Sequence, residues 1–135
     1  MDARTHEDES SIRVLVVDDQ AVFANALEFL LRRQPRIDVV GVAGTGAEAI
    51  DLASTHDVDV VVMDVRMPGM DGFEATRQLL ARRPRTRVLM ISAADDDDEA
   101  AEAAAAGAAA FLRKDHIYDV VVDAILRSVD AAELH

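Results

Sequence analysis

Five short apolar runs recur along this chain, with helix-like stretches between them. They lie at residues 12–17, 37–43, 58–63, 87–91 and 109–112, and the first three are rich in Val and Ile. Near-continuous runs of this kind fit strands covered on both faces, as in a parallel sheet. Between them the apolar spacing changes. Val22, Phe23, Ala26, Leu27, Leu30 and Leu31 recur three and four apart, which predicts an amphipathic helix over 21–33. Further helices are expected at 47–54, 73–81, 95–106 and 118–131. The punctuation agrees: Pro35 and Pro84 follow the first and third helices, and Gly107 ends the fourth as a C′ residue. Strands alternating with helices five times imply a doubly wound α/β domain.

The natural strand order for such a (βα)5 chain is 2-1-3-4-5, the flavodoxin-like arrangement. Its ligands bind at the carboxyl ends of the strands, where the order reverses between strands one and three. Here those two strands end in Asp18-Asp19 and Asp64. Strand four ends in Ser92, and strand five in Arg113-Lys114. Asp is depleted inside strands, so Asp64 after a valine run calls for a reason. Three carboxylates converging at one sheet edge repel one another and raise at least one pKa unless a cation sits among them. An all-oxygen cluster with room for water suits Mg2+, with Mn2+ as the alternative. An aspartate can also accept a phosphoryl group as an acyl phosphate. Phosphoryl transfer asks mainly for positioning and charge neutralisation. A metal, the Lys114 ammonium and the Ser92 hydroxyl are suited to supply both.

Composition narrows the function classes. The 135 residues suffice for one domain and one core, and they include no cysteine, so thiolate and disulfide chemistry are excluded. The formal net charge is −12, from 14 basic and 26 acidic residues. That argues against direct nucleic-acid binding, which draws on a basic surplus. The Arg82, Arg83, Arg85 and Arg87 cluster reads as a solvated helix end and turn. Residues 1–11 read as a disordered leader without a secretion signal, residues 12–131 as the domain and 132–135 as a tail. No apolar run approaches the ~20 residues that span a bilayer. No membrane association and a cytoplasmic location are therefore expected.

The motifs resemble those of the receiver domain of two-component response regulators. Residues 12–19 resemble its opening strand and acidic pair. Residues 61–72 resemble the segment around its phosphorylated aspartate. Residues 89–93 and 107–115 resemble the strands that end in its Ser/Thr and its lysine. The resemblance implies that Asp64 is the phosphoacceptor, charged by a sensor histidine kinase, a phosphotransfer protein or a small phosphodonor. It implies Mg2+ held by Asp19 and Asp18, by Asp64 and by the backbone carbonyl of Arg66. Lys114 and Ser92 would contact the phosphoryl group, and Phe111 would turn inward behind Ser92. The fourth helix, fifth strand and fifth helix would form the output face, read by an output protein or by an effector domain missing here. A monomer is expected before phosphorylation, with dimerisation on phosphorylation as the alternative. No turnover enzyme is expected beyond self-phosphorylation and self-dephosphorylation.

Some features depart from the family pattern or compete with this reading. Asp115 follows the lysine where many receivers have Pro, a Lys-Asp version that resembles the NarL/FixJ group. Arg66 lies where the family tunes phosphoryl lifetime, and it could shield the site from water. The fourth helix opens on an acidic run and continues almost entirely in alanine, so weak packing and high mobility are expected there. Two rival functions compete. A phosphohydrolase with an aspartate nucleophile would typically place a second carboxylate two residues on, where Arg66 stands. A degenerate receiver used as a scaffold would not need Asp18, Asp19, Asp64, Ser92 and Lys114 together. Gly44-Thr45-Gly46-Ala47-Glu48-Ala49 fits a dinucleotide fingerprint formally, but follows the wrong strand.

Overall fold

The computed structural model describes residues 11–94 and 96–133. Five strands alternate with five helices: β1 Ile12–Val17, α1 Ala21–Arg32, β2 Ile37–Ala43, α2 Gly46–Thr55, β3 Val60–Asp64, α3 Gly72–Arg82, β4 Arg87–Ser92, α4 Asp97–Ala106, β5 Ala110–Arg113 and α5 Ile117–Glu133. A 3₁₀ turn, Lys114–His116, joins β5 to α5. The sheet is parallel throughout, in the order β2-β1-β3-β4-β5. This is the expected flavodoxin-like topology.

The period-two alternation of a strand divides the core into two layers. Val14 and Val16 of β1, Val60 and Val62 of β3, and Leu89 and Ile91 of β4 face α1 and α5. They pack on Leu27, Leu31, Ile117, Val121 and Ile125. Leu15, Val17, Val61, Met63, Val88 and Met90 face the opposite way, toward α2, α3 and α4, with Ala49, Phe73, Leu79 and Ala103. Both faces of the three central strands are therefore buried, which is why their sequences carry no polar alternation. Among the described residues, no helix is long and apolar enough to cross a membrane.

Several boundaries differ from the sequence expectation, each for a local reason. β3 begins at Val60, not at residue 58, because the Asp59 carboxylate accepts from the Arg13 amide and the Val58 carbonyl accepts from Thr86 Oγ1. α2 and α3 start one residue early, after Thr45 and Asp71, whose side chains accept from the Glu48 and Glu74 amides. α4 starts at Asp97 because Asp96 Oδ1 caps Asp98 and Glu99. Asp95, expected to begin that helix, lies outside the described residues, as do residues 1–10 of the expected leader. α5 runs to Glu133, so residues 132 and 133 belong to the helix and not to a tail. The arginine cluster is not wholly solvated: Arg83 donates to the Ser54 carbonyl at 2.6 Å and pairs with Asp57, tying the end of α3 to α2.

Two glycines answer to geometry. Gly107 has φ +103° and ends α4 with its amide bonded to Ala104, while the Ala108 amide bonds to Ala103. Gly72 starts α3 hard against β3, where a Cβ would lie 2.1 Å from the Asp64 carbonyl oxygen. A Cβ on Gly44, by contrast, would meet nothing within 4 Å. Gly72→Ala is expected to destabilise the fold by about 3 kcal/mol or more, as overpacking against backbone does. Gly44→Ala should stay within about 0.5 kcal/mol. Urea unfolding of the two variants checks this; equal midpoints would refute the close-packing argument.

In α4, only Glu99, Ala103 and Ala106 are buried. Burying a methyl group stabilises by about 0.8 kcal/mol, far less than a leucine. Amide hydrogen exchange is expected to be faster at residues 100–106 than in β1; equal protection would refute weak anchorage.

Candidate functional site

Each strand-end side chain singled out in the sequence reaches the carboxyl edge of the sheet because its strand stops there. Asp18 follows β1 and Asp64 closes β3, and the two strands are paired through Val17 and Met63. Ser92 closes β4, and Lys114 follows β5. Asp18, Asp64 and Ser92 are buried, whereas Asp19 is exposed. Among the described residues, Asp18, Asp19 and Asp64 each bring a carboxylate oxygen within 4.8 Å of the others.

The Lys114 ammonium faces this cluster. Its Nζ lies 2.9 Å from Asp18 Oδ2 and 3.6 Å from Asp64 Oδ2. Its position is fixed from the other side by two groups that sequence reading missed. Lys114 donates to Gln20 Oε1 at 2.8 Å, and its ammonium sits 4.5 Å from the centre of the Phe23 ring. Gln20 is the N-cap residue of α1, yet its side chain makes no cap bond; it holds the lysine instead. Its amide donates to Asp18 Oδ1 at 2.8 Å. Asp18 Oδ2 is buried and has no hydrogen bond, only its ion pair with the Lys114 ammonium.

One ammonium does not balance these carboxylates. The Asp64 pKa is pushed up from 3.8 to about 6, first by burial and next by the charge of Asp18. Lys114 and the Arg66 amide pull it down, but by less. A buried, under-neutralised set of hard oxygens with one unbonded carboxylate oxygen is what a small divalent cation would satisfy. The donor set therefore fits magnesium.

The outer wall is less expected. The Ser92 hydroxyl donates to Glu99 Oε1 at 2.5 Å and accepts from the Ala94 amide at 3.1 Å. The Arg66 guanidinium donates to Glu99 Oε2 at 2.5 Å. Glu99 is thus a third residue missed in the sequence, where it read as one acid in an acidic run. Phe111 is half-buried and packs on the α2–α3–α4 side of the sheet. The glycine-rich Gly44-Thr45-Gly46 turn serves helix packing: a Cβ on Gly46 would come within 3.1 Å of Ala75 and Met70.

Comparison with known proteins agrees with this geometry. The response regulator receiver domain model matches residues 14–126. The signal receiver domain of the putative response regulator NarL from Mycobacterium tuberculosis superposes with a TM-score of 0.83 at 38% identity, covering 92% of this chain and 98% of that one. The transcriptional regulatory protein DegU of Brevibacillus brevis is 31% identical over 117 residues, which are 87% of this chain and 50% of DegU. Protein-glutamate methylesterase/protein-glutamine glutaminase 3 of Myxococcus xanthus is 48% identical over 82 residues, 61% of this chain and 23% of that enzyme. The chain spans half or less of the length of both curated relatives. With the fold, the strand-end carboxylates and the matched residues in agreement, this chain belongs to the response regulator receiver domain family.

Proposed function

We propose that this domain is the phosphoacceptor of a two-component signalling system and that Asp64 stores the phosphoryl group. The observation that carries the reading is the group around Asp64: two neighbouring carboxylates within 4.8 Å and the Lys114 ammonium at 3.6 Å. In the proposed reaction an Asp64 carboxylate oxygen attacks the phosphorus of a phosphohistidine. The phosphorus–nitrogen bond breaks, its electron pair leaves with the imidazole, and an acyl phosphate remains on Asp64. Lys114, already held by Gln20 and Phe23, is positioned to meet the transferred oxygens. The Ser92 hydroxyl and Phe111 would then answer to the new dianion. Asp18, Asp19, Asp64 and the backbone carbonyl of Arg66 would hold Mg2+, or Mn2+. Bound there, the ion would supply positive charge against the carboxylates and the incoming phosphoryl oxygens.

The upstream partner would be a sensor histidine kinase or a phosphotransfer protein. The downstream reader would be an output protein or an effector domain engaging α4, β5 and α5. A DNA-reading role for this domain itself is disfavoured by its charge of −12. Two features favour storage over turnover: Arg66 stands two residues after Asp64, and its side chain is committed to Glu99.

The direct test incubates the protein with magnesium and acetyl phosphate or phosphoramidate and reads its intact mass. One added phosphoryl group is expected, lost in Asp64→Asn and with chelator. An unchanged mass would favour a phosphorylation-independent scaffold. Sustained hydrolysis of a generic phosphate ester, abolished by Asp64→Asn, would favour a phosphohydrolase.

A second prediction follows from the raised pKa of Asp64. The folded state binds this proton more tightly than the unfolded state, so ionising Asp64 costs stability. The cost appears as pH rises from about 4 to about 6 and persists above it. A shift of this size corresponds to at most about 3 kcal/mol. Without divalent metal, Asp64→Asn should therefore be more stable than wild type at pH 7, by about 1–3 kcal/mol, and nearly equal at pH 4. Magnesium at pH 7 should narrow the gap. Urea midpoints of both proteins at the two pH values decide it; a gap that does not grow with pH would refute the electrostatic argument.

A further inference from the structure

We infer that Glu99 is a positioning residue for the phosphoacceptor site: it holds the Ser92 hydroxyl and the Arg66 guanidinium while Asp64 is unloaded, and loading takes these donors from it. The inference rests on the proposed phosphoacceptor role of Asp64 and deepens it.

Glu99 is unusual for its surroundings. It lies in the first turn of α4, yet is only 6% exposed, while Asp97 and Asp98 beside it are exposed. Its two oxygens are assigned to different donors. Oε1 accepts from Ser92 at the end of β4, and Oε2 accepts from Arg66 in the loop after β3. Ser92 follows Ile91, the register partner of Asp64 on β4, and Arg66 lies two residues after Asp64. A charged acceptor forms roughly twice as strong a hydrogen bond as a neutral one. A phosphoryl dianion at Asp64 and the Glu99 carboxylate would therefore compete for the same hydroxyl and, more weakly, for the exposed guanidinium.

The competition has a mechanical side. Glu99 is the only buried residue of α4 larger than alanine. Its bonds to Ser92 and Arg66 tie the first turn of α4 to two strand ends. If Ser92 turns to the phosphoryl group, Glu99 is left as a buried carboxylate short of a donor. Leaving a buried polar group unpaired is costly, and the alanines behind it offer little area to resist movement. Loading Asp64 would thereby loosen the first turn of α4 through this one side chain. The same side chain sets the threshold for loading, because its grip on Ser92 must be broken first.

The test measures affinity for beryllofluoride with magnesium, an acyl-phosphate mimic, by amide NMR titration with Val65 as reporter, since it follows Asp64 and its amide bond to the Ile91 carbonyl involves no substituted side chain. Affinity should rise in the order wild type, Glu99→Gln, Glu99→Ala, with about a tenfold gain for the last. The gain should fall below about twofold when Ser92→Ala and Arg66→Ala are already present, because the contested donors are gone. A purely structural role, or a general effect of removing negative charge, would give the same change in both backgrounds. A second readout uses wild type alone: amides 100–106 should lose exchange protection on binding beryllofluoride. If wild type binds the mimic but Glu99→Ala gains no affinity, or gains equally in both backgrounds, this inference is wrong and the phosphoacceptor reading stands. If wild type neither binds the mimic nor gains phosphoryl mass, both fall.

Discussion

Crowding of negative charge at the carboxyl edge of the sheet is the constraint on which the rest of this structure turns. Asp18 and Asp64 end neighbouring parallel strands, so the backbone brings their carboxylates together and the core withdraws them from water. Such an arrangement opposes its own formation. It persists because the sheet beneath it is apolar on both faces and because Lys114 is brought in from β5, two strands away in the sheet from β3. The lysine is in turn held at the start of α1 by Gln20 and Phe23. The residue at the N-cap position of α1 thus serves to hold the site's lysine and not to cap the helix.

The residual imbalance is what makes the edge useful. A fully neutralised cluster would have no appetite for a metal or for a transferable anion with its counter-ion. Here burial and the charge of Asp18 hold the Asp64 pKa up at about 6, so its ionised form carries a cost that added positive charge would relieve. In the proposed function, metal binding and readiness to accept a phosphoryl group would be two expressions of one electrostatic deficit. The packing below sets its stiffness: Gly72 lets α3 begin in contact with the Asp64 carbonyl, so the Asp64 backbone has little room to shift.

The fold was legible because its signals are local and repeated. Valine runs without polar alternation meant two-sided burial, and spacings of three and four meant helices. Asp18, Asp64, Ser92 and Lys114 were legible because each interrupts a strand pattern at its end. Glu99, Gln20 and Phe23 were not, and for a common physical reason. Each sits in an ordinary helical context, where an acid in a first turn, a polar residue at a helix start and an aromatic on an apolar stripe all have bland explanations. Their roles depend on partners 7 to 94 positions away in sequence, which only the assembled sheet edge brings near. Asp96 and Glu99 even have the three-residue spacing of a capping box. Asp96 does its half by capping the Glu99 amide, but the Glu99 side chain turns away to Ser92 and Arg66. The different starts of α2, α3 and α4 have a smaller cause, since the capping side chains of Thr45, Asp71 and Asp96 fix where each helix begins.

That diversion also bears on whether the site stores or releases a phosphoryl group. Hydrolysis of an acyl phosphate is helped by a base that can take a proton from water in line with the phosphorus. Two residues after Asp64 the chain offers Arg66, a cation that cannot act as a base. The carboxylate brought to that wall, Glu99, arrives already accepting from two donors. While those bonds last both of its oxygens are engaged and it is a good clamp. If Ser92 left it for a phosphoryl group, as inferred above, Glu99 would regain an unpaired oxygen, but on a helix turn that had lost its tie to β4. A single carboxylate would then separate the two states twice over: occupied and holding α4 in the unloaded form, released and carried outward with α4 in the loaded one. Stored phosphate and a displaced helix are compatible with each other in this arrangement, whereas a fixed base beside Asp64 would have favoured turnover.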